Sequence, residues 1–156
     1  FIDEARAKGA HPILVTPTSR RRFDENGKSV NTHGDYPDAV RWVAAKENVP
    51  LIELNGMTAI LFNALGVDNS TKAFVHYPAG TFPGQTRTLK DNTHFSTYGA
   101  YEVSKCVIEG MKKADLEIVK YLRPDYSGFD PAQPDSFESF KWNLGSFTEN
   151  EKPDGN

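Results

Sequence analysis

Asp91 and His94, three residues apart in KDNTHFSTYGAYE, are the residues of this chain whose types and spacing could do chemistry. In acyl transfer a His accepts the proton of a hydroxyl nucleophile and later returns it to the leaving group. An Asp bonded to the other ring nitrogen fixes the tautomer and stabilises the imidazolium. One polar loop can supply both groups when two residues separate them, as Asn92 and Thr93 do here. The same D-x-x-H spacing is also met where an Asp–His pair merely shapes the start of a helix. No nucleophile announces itself. The chain has no G-x-S-x-G, and neither Ser19 nor Ser96 sits on a strand-to-helix elbow. Ser146 follows Gly145, but within a tail.

Other residues carry two readings each. Arg20, Arg21 and Arg22 open a loop after the C-terminal end of a strand, where parallel α/β sheets bind ligands; a solvated basic turn is the structural alternative. His33, in NTHGDYP, either shapes its loop or touches a substrate. His76 and Tyr77, in FVHYP, precede the Asp–His loop. An aromatic face there suits stacking on a sugar ring, and Tyr77 fits a core position equally well. His11 opens a strand and reads as structural. The four histidines show no H-x-x-x-H or H-E-x-x-H spacing, so no metal site is expected. No G-x-x-x-x-G-K-S/T is present either. Cys106 is single, which rules out an internal disulfide, and its place beside a helical apolar stripe makes it a buried, inert thiol.

The elements that must hold these residues follow from periodicity. The chain has 156 residues, 38% hydrophobic and 25% charged, with a net charge of −3. That is the profile of one globular domain with no basic face for nucleic acid. No run approaches the roughly 20 apolar residues of a membrane helix. FIDEARAKG reads as the end of a helix stopped by Gly9, and a start in mid-helix implies residues upstream. HPILVTP (11–17) reads as a buried parallel strand and LIEL (51–54) as a second. Asp35 can cap a helix whose buried face is Val40, Val43 and Ala44. A helix over 57–66 stops at Gly66. AFVHYP (73–78) is strand or extended loop, and 78–92 is loop. Ser96 or Thr97 caps a helix with the stripe Ala100, Val103, Val107, Ile108 and Met111, followed by a helix over 114–122. The Pro/Asp-rich tail has Phe137, Phe140 and Trp142 as surface anchors, and its last residues, NEKPDGN, are expected to be mobile. Alternating helices and strands indicate α/β with a parallel sheet. Two strands cannot cover four or five helices, so the chain reads as the C-terminal portion of a doubly wound domain.

The block Asp91-Asn92-Thr93-His94-Phe95 with Ser96-Thr97-Tyr98-Gly99-Ala100 resembles the last motif of the GDSL/SGNH hydrolases. KGAHPILVTPTSRRRF, NTHGDYPDAV and FVHYPAG are similar to the bacterial rhamnogalacturonan acetylesterases. The resemblance covers about residues 1–125 and extends into the Pro/Asp-rich C-terminal tail, 126–156. It implies a three-layer α/β/α sandwich, of which this chain supplies the C-terminal portion. It also implies Asp91 as the orienting carboxylate and His94 as general base, with no cofactor and no metal. The family's Ser, in a Gly-Asp-Ser motif, and its oxyanion-hole Gly and Asn lie upstream of anything in this sequence. A separate N-terminal segment carrying the Ser is therefore an expected partner. The implied substrate is an acetylated polysaccharide or oligosaccharide, with Arg20, Arg21, Arg22, His33 and Tyr77 as candidate binders. The guanidinium groups would suit galacturonate carboxylates. The implied location is secreted or periplasmic. Two rivals stand beside this: an SGNH esterase for another acetylated substrate such as xylan, and a non-catalytic carbohydrate-binding remnant.

Overall fold

A computed structural model describes residues 1–142. Ser146 and the expected mobile terminus lie outside the described residues. In chain order the elements are α1 (Ile2–Ala7), β1 (Leu14–Val15), α2 (Tyr36–Lys46), β2 (Leu51–Ile52), α3 (Leu54–Asn69), β3 (Phe74–Tyr77), β4 (Leu89–Phe95) and α4 (Thr97–Lys113). Short 3₁₀ turns at Ser70–Ala73 and Glu117–Tyr121 follow α3 and α4. The fold class is α/β, as the sequence indicates. β1 and β2 pair in parallel, Leu14 opposite Leu51 and Val15 opposite Ile52.

β1 is not a buried strand. Ile13 and Val15 remain 38% and 42% exposed. Among the described residues β1 pairs with β2 alone, so its apolar side chains have only one neighbouring strand to pack beside. The ends of β1 and β2 are stitched by polar contacts. Arg41 on α2 grips both carboxylate oxygens of Glu53 at 2.7 Å. Thr16 donates to Glu53 Oε1 at 3.1 Å and accepts the Asn55 N–H at 2.8 Å. Glu53 also accepts from the Gly56 N–H, so its carboxylate caps α3 and starts that helix at Leu54 rather than at 57. Gly66, at φ +72°, breaks α3 where the sequence places its stop. Asp35 stands at the start of α2, yet its side chain makes no capping bond. The segment after α4 is a 3₁₀ turn, with Leu116, Val119 and Leu122 half-buried.

The larger surprise is the second sheet. β3 and β4 form an antiparallel hairpin, so Asp91 and His94 lie in a strand and not in a plain loop. Phe74, Phe95 and Phe62 cluster beneath it with ring centroids 5.1–6.4 Å apart, each pair adding about 0.5–1.5 kcal/mol beyond its burial. Contrary to the sequence reading, Ser96 does stand at a strand-to-helix junction, directly between β4 and α4, but it is buried and caps α4 by accepting the Gly99 N–H at 3.1 Å. Its own hydroxyl donates to the Lys72 carbonyl at 2.6 Å.

Gly99 is what lets α4 begin this close to the hairpin. A Cβ there would lie 1.8 Å from the Ala73 carbonyl oxygen, an atom of the backbone leading into β3. Backbone cannot rotate away as a side chain can. Gly99→Ala is therefore expected to lower stability by about 3 kcal/mol, at the upper end of ordinary overpacking. Urea unfolding would show this, and an unchanged midpoint would mean that α4 slides freely against β3.

The buried face of α4 differs from the apolar stripe read in the sequence. Ala100 is exposed, while Tyr98, Glu102, Val103, Lys105 and Cys106 are buried. Residues 126–142 cause the rotation by lying across this face. Tyr98 donates to the Asp135 carbonyl at 2.7 Å and meets the rings of Phe137 and Phe140 edge-on. Cys106 is sealed in the core, and burial pushes its thiol up to about 12. No helix among the described residues is long and apolar enough to cross a membrane.

Candidate active site

The hairpin pairs Phe74 with Phe95 and His76 with Lys90. Between those two rungs β3 contributes one residue and β4 contributes four: Asp91, Asn92, Thr93 and His94. The four residues form a bulge that swings away from the ladder, the kind of irregularity by which strands re-aim side chains. Asp91 folds the bulge on itself. Its Oδ1 accepts the backbone N–H groups of Thr93 at 2.7 Å and His94 at 3.0 Å, an Asx turn. Its Oδ2 accepts the Nδ1–H of His94 at 2.6 Å.

These bonds decide the protonation chemistry. The two backbone donors and the imidazole hold the Asp91 carboxyl down at about 2, the His94 N–H contributing most. Asp91 is thus a fixed anion that keeps the proton on Nδ1, which leaves the Nε2 lone pair free to accept another. The imidazole side chain is 77% exposed and that of Asp91 37%. The pair therefore stands at the surface of the described residues, open to a group brought from elsewhere.

The neighbouring segments are drawn onto the bulge through Asn92. Arg21 donates its backbone N–H to the Asn92 carbonyl at 2.9 Å and Nη1 to Asn92 Oδ1 at 3.0 Å. His76 Nε2 donates to the same Oδ1 at 2.9 Å. The rest of the Arg21 guanidinium is engaged with Ser70 Oγ and the Val67 carbonyl. Arg20 and Arg22 are exposed on the same turn. His33 lies further back, donating Nε2–H to the Thr18 carbonyl at 2.8 Å, and so ties its loop to the end of β1. Tyr77 packs edge-on against Phe82 at 5.0 Å. Ser19 is buried, its hydroxyl turned to the Asn55 carbonyl. Asn92 and the role of His76 escape sequence reasoning; Arg21 and Asn92 are 71 residues apart, and no local pattern joins them.

Among the described residues no group of three or more His, Cys, Asp or Glu is placed to hold a metal. Hollows of about 630 Å³ lie elsewhere, one beside Pro12 and Pro50 before the parallel strands and one beside Gly56 and Gly110. A shallower groove of about 460 Å³ starts at Phe95 and Ser96, right after His94, and runs past Tyr101 to Trp142.

An exposed Asp–His pair with a free imidazole nitrogen can take up the proton of a hydroxyl brought next to it. Over 122 residues, 78% of its length, the chain is 44% identical to rhamnogalacturonan acetylesterase RhgT of Bacillus subtilis (strain 168). It is related to the rhamnogalacturonan acetylesterases. A second such relative is the probable rhamnogalacturonan acetylesterase YesY of the same organism, 35% identical over 122 residues. The aligned part covers 53% of RhgT and 52% of YesY, so the chain spans about half the length of the curated relatives it matches. No protein-family model matches the chain, and no solved structure matches it significantly. The resemblance to rhamnogalacturonan acetylesterases read from TPTSRRRF, HGDYP and DNTHF is borne out by these two relatives.

Proposed function

We propose that the whole protein is a carbohydrate esterase of the SGNH type that removes acetyl groups from rhamnogalacturonan. In this reading residues 1–125 supply the C-terminal portion of its α/β/α domain, and 126 onward a tail. The observation that carries it is the 2.6 Å bond from His94 Nδ1–H to Asp91, in a chain 44% identical to an enzyme of that name. Asp91 holds the proton on Nδ1, so Nε2 is the base. A Ser on a segment upstream of this sequence gives its proton to Nε2 as its oxygen attacks the acetyl carbonyl. His94 returns the proton to the departing sugar oxygen, leaving an acetyl-enzyme. Water, deprotonated by the same nitrogen, then attacks the acetyl group, and His94 gives that proton to the departing Ser oxygen as acetate leaves.

Supporting features surround the pair. Arg20 and Arg22 offer exposed guanidinium groups to galacturonate carboxylates, with Tyr77 as a further candidate contact, while Arg21 and His33 are taken up by bonds within the protein. The groove after His94 is lined by the partly exposed aromatic side chains of Tyr101 and Trp142, residue types that stack on sugars. A secreted or periplasmic location fits a polysaccharide substrate.

Acetate release by the whole protein tests the assignment. Acetylated rhamnogalacturonan is expected to be deacetylated faster than acetylated xylan. Equal or faster release from xylan would reject the substrate. Binding of the pectin polymer with no release at all would make the protein a carbohydrate-binding remnant.

A further inference from the structure

Asp91 and His94 can make their bond only if the bulge between them holds its shape, and the Asx turn is a local contact on an exposed strand. The residue at the centre of the bulge is Asn92, whose side-chain oxygen receives two donors at once, Arg21 Nη1 at 3.0 Å and His76 Nε2 at 2.9 Å. Arg has donors only, so the atom facing it is the amide oxygen, and both lone pairs of that oxygen are used. The Asn92 carbonyl is held as well, by the Arg21 N–H. Three bonds from two distant segments therefore converge on one residue that touches no substrate in the proposed mechanism.

The two donors come from rigid places. His76 sits on β3 at the last rung before the bulge, opposite Lys90. Arg21 is itself fixed by Ser70, which is buried, and by the Val67 carbonyl. Both bonds persist whatever the charge of His76, because its Nε2 donates whether the ring is neutral in that tautomer or protonated.

We propose that Arg21 and His76 are positioning residues that act through Asn92 to hold the Asp91–His94 bulge in the geometry that keeps the proton on His94 Nδ1. This rests on the esterase reading for its catalytic consequence and not for its structural one. Arg21 is then a brace of the site. Its guanidinium points inward to the protein, while its neighbours Arg20 and Arg22 stay exposed.

The test reads the His94 tautomer directly. Two-bond proton–nitrogen correlations on the ¹⁵N-labelled whole protein, at about pH 9 where imidazoles are neutral, are expected to show His94 protonated on Nδ1. Asn92→Ala should move the proton to Nε2, the favoured tautomer of free imidazole side chains. His76→Ala should move it the same way in part. Asn92→Asp, which keeps the oxygens that receive both donors, should leave it on Nδ1. A merely structural role would lower the melting temperature and leave the tautomer alone. An Nδ1–H tautomer retained in a folded Asn92→Ala chain overturns the proposal; if that variant does not fold, the same result in His76→Ala does so. In the whole protein, Asn92→Ala is expected to lower kcat by up to about 10²-fold with KM little changed, as small misplacements of reacting groups do. Absence of esterase activity in the unmutated protein would sink the function proposed above and leave the tautomer result to decide this one.

Discussion

Replacing His94 with Ala in the whole protein is expected to lower kcat for acetate release by about 10⁴-fold or more, with KM far less affected. In the proposed cycle the imidazole moves a proton four times: from Ser, to the leaving sugar oxygen, from water, and back to Ser. Its removal leaves only binding and the oxyanion hole. Asp91 is held down at about 2, so it stays charged through any pH at which the protein is assayed. Asp91→Asn, which takes away the carboxylate that fixes the His94 tautomer, should therefore remove most of the activity at every pH. A His94→Ala variant with near wild-type kcat would show that this pair is scaffolding.

The second large effect lies on α4, away from the pair. Glu102 is 0% exposed and Lys105 9%. Nζ of Lys105 lies 2.8 Å from Glu102 and 2.8 Å from Asp135, between the rings of Tyr101 and Phe129 at 4.4 and 4.2 Å. Burial raises the Glu102 carboxyl in spite of the ammonium beside it, so desolvation outweighs the attraction. Lys105→Met would leave a carboxylate in the interior without its cation, and a loss of about 3–5 kcal/mol is expected. The pH sign is definite. A carboxyl whose folded value lies above its unfolded one favours the fold when protonated. The deficit of the variant should therefore be small in acid and grow as the pH rises through the folded value. Combining Lys105→Met with Glu102→Gln should recover most of the loss, because no charge is then stranded. Urea titrations at two pH values give all three outcomes. A single variant within about 0.5 kcal/mol of wild type would mean that water reaches Glu102.

The parts of this molecule legible in the sequence are those set by near neighbours. Gly9 and Gly66 end helices, Ser96 begins one, and Asp91 finds His94 across two residues. Each needs only local geometry. What needed the whole chain was illegible. LKDNTHF lacks the period-two alternation of a strand because four of its seven residues leave the ladder, so β4 reads as loop. Counting apolar residues gives α4 the face Ala100, Val103, Val107, Ile108 and Met111 and passes over Glu102 and Lys105, which are buried. Their spacing of three, with Tyr98 and Tyr101 beside them, was the signal available for a covered ion pair. The convergence on Asn92 joins positions 16 and 71 residues away and leaves no trace along the chain.

That convergence has a bearing on the order in which the molecule assembles. The Asx turn closes a loop of two residues and can flicker into existence in an unfolded chain. The bonds of Arg21 span 46, 49 and 71 residues. Contacts of such separation must wait for the chain entropy of closure to be overcome by the core beneath them. The same ordering run backwards describes warming. Exposed hydrogen bonds at the rim of a fold open in local excursions well below the free energy of global unfolding. The Asp91–His94 pair is thus built from the earliest contact and braced by the latest, and heat would remove the brace before it removes the fold.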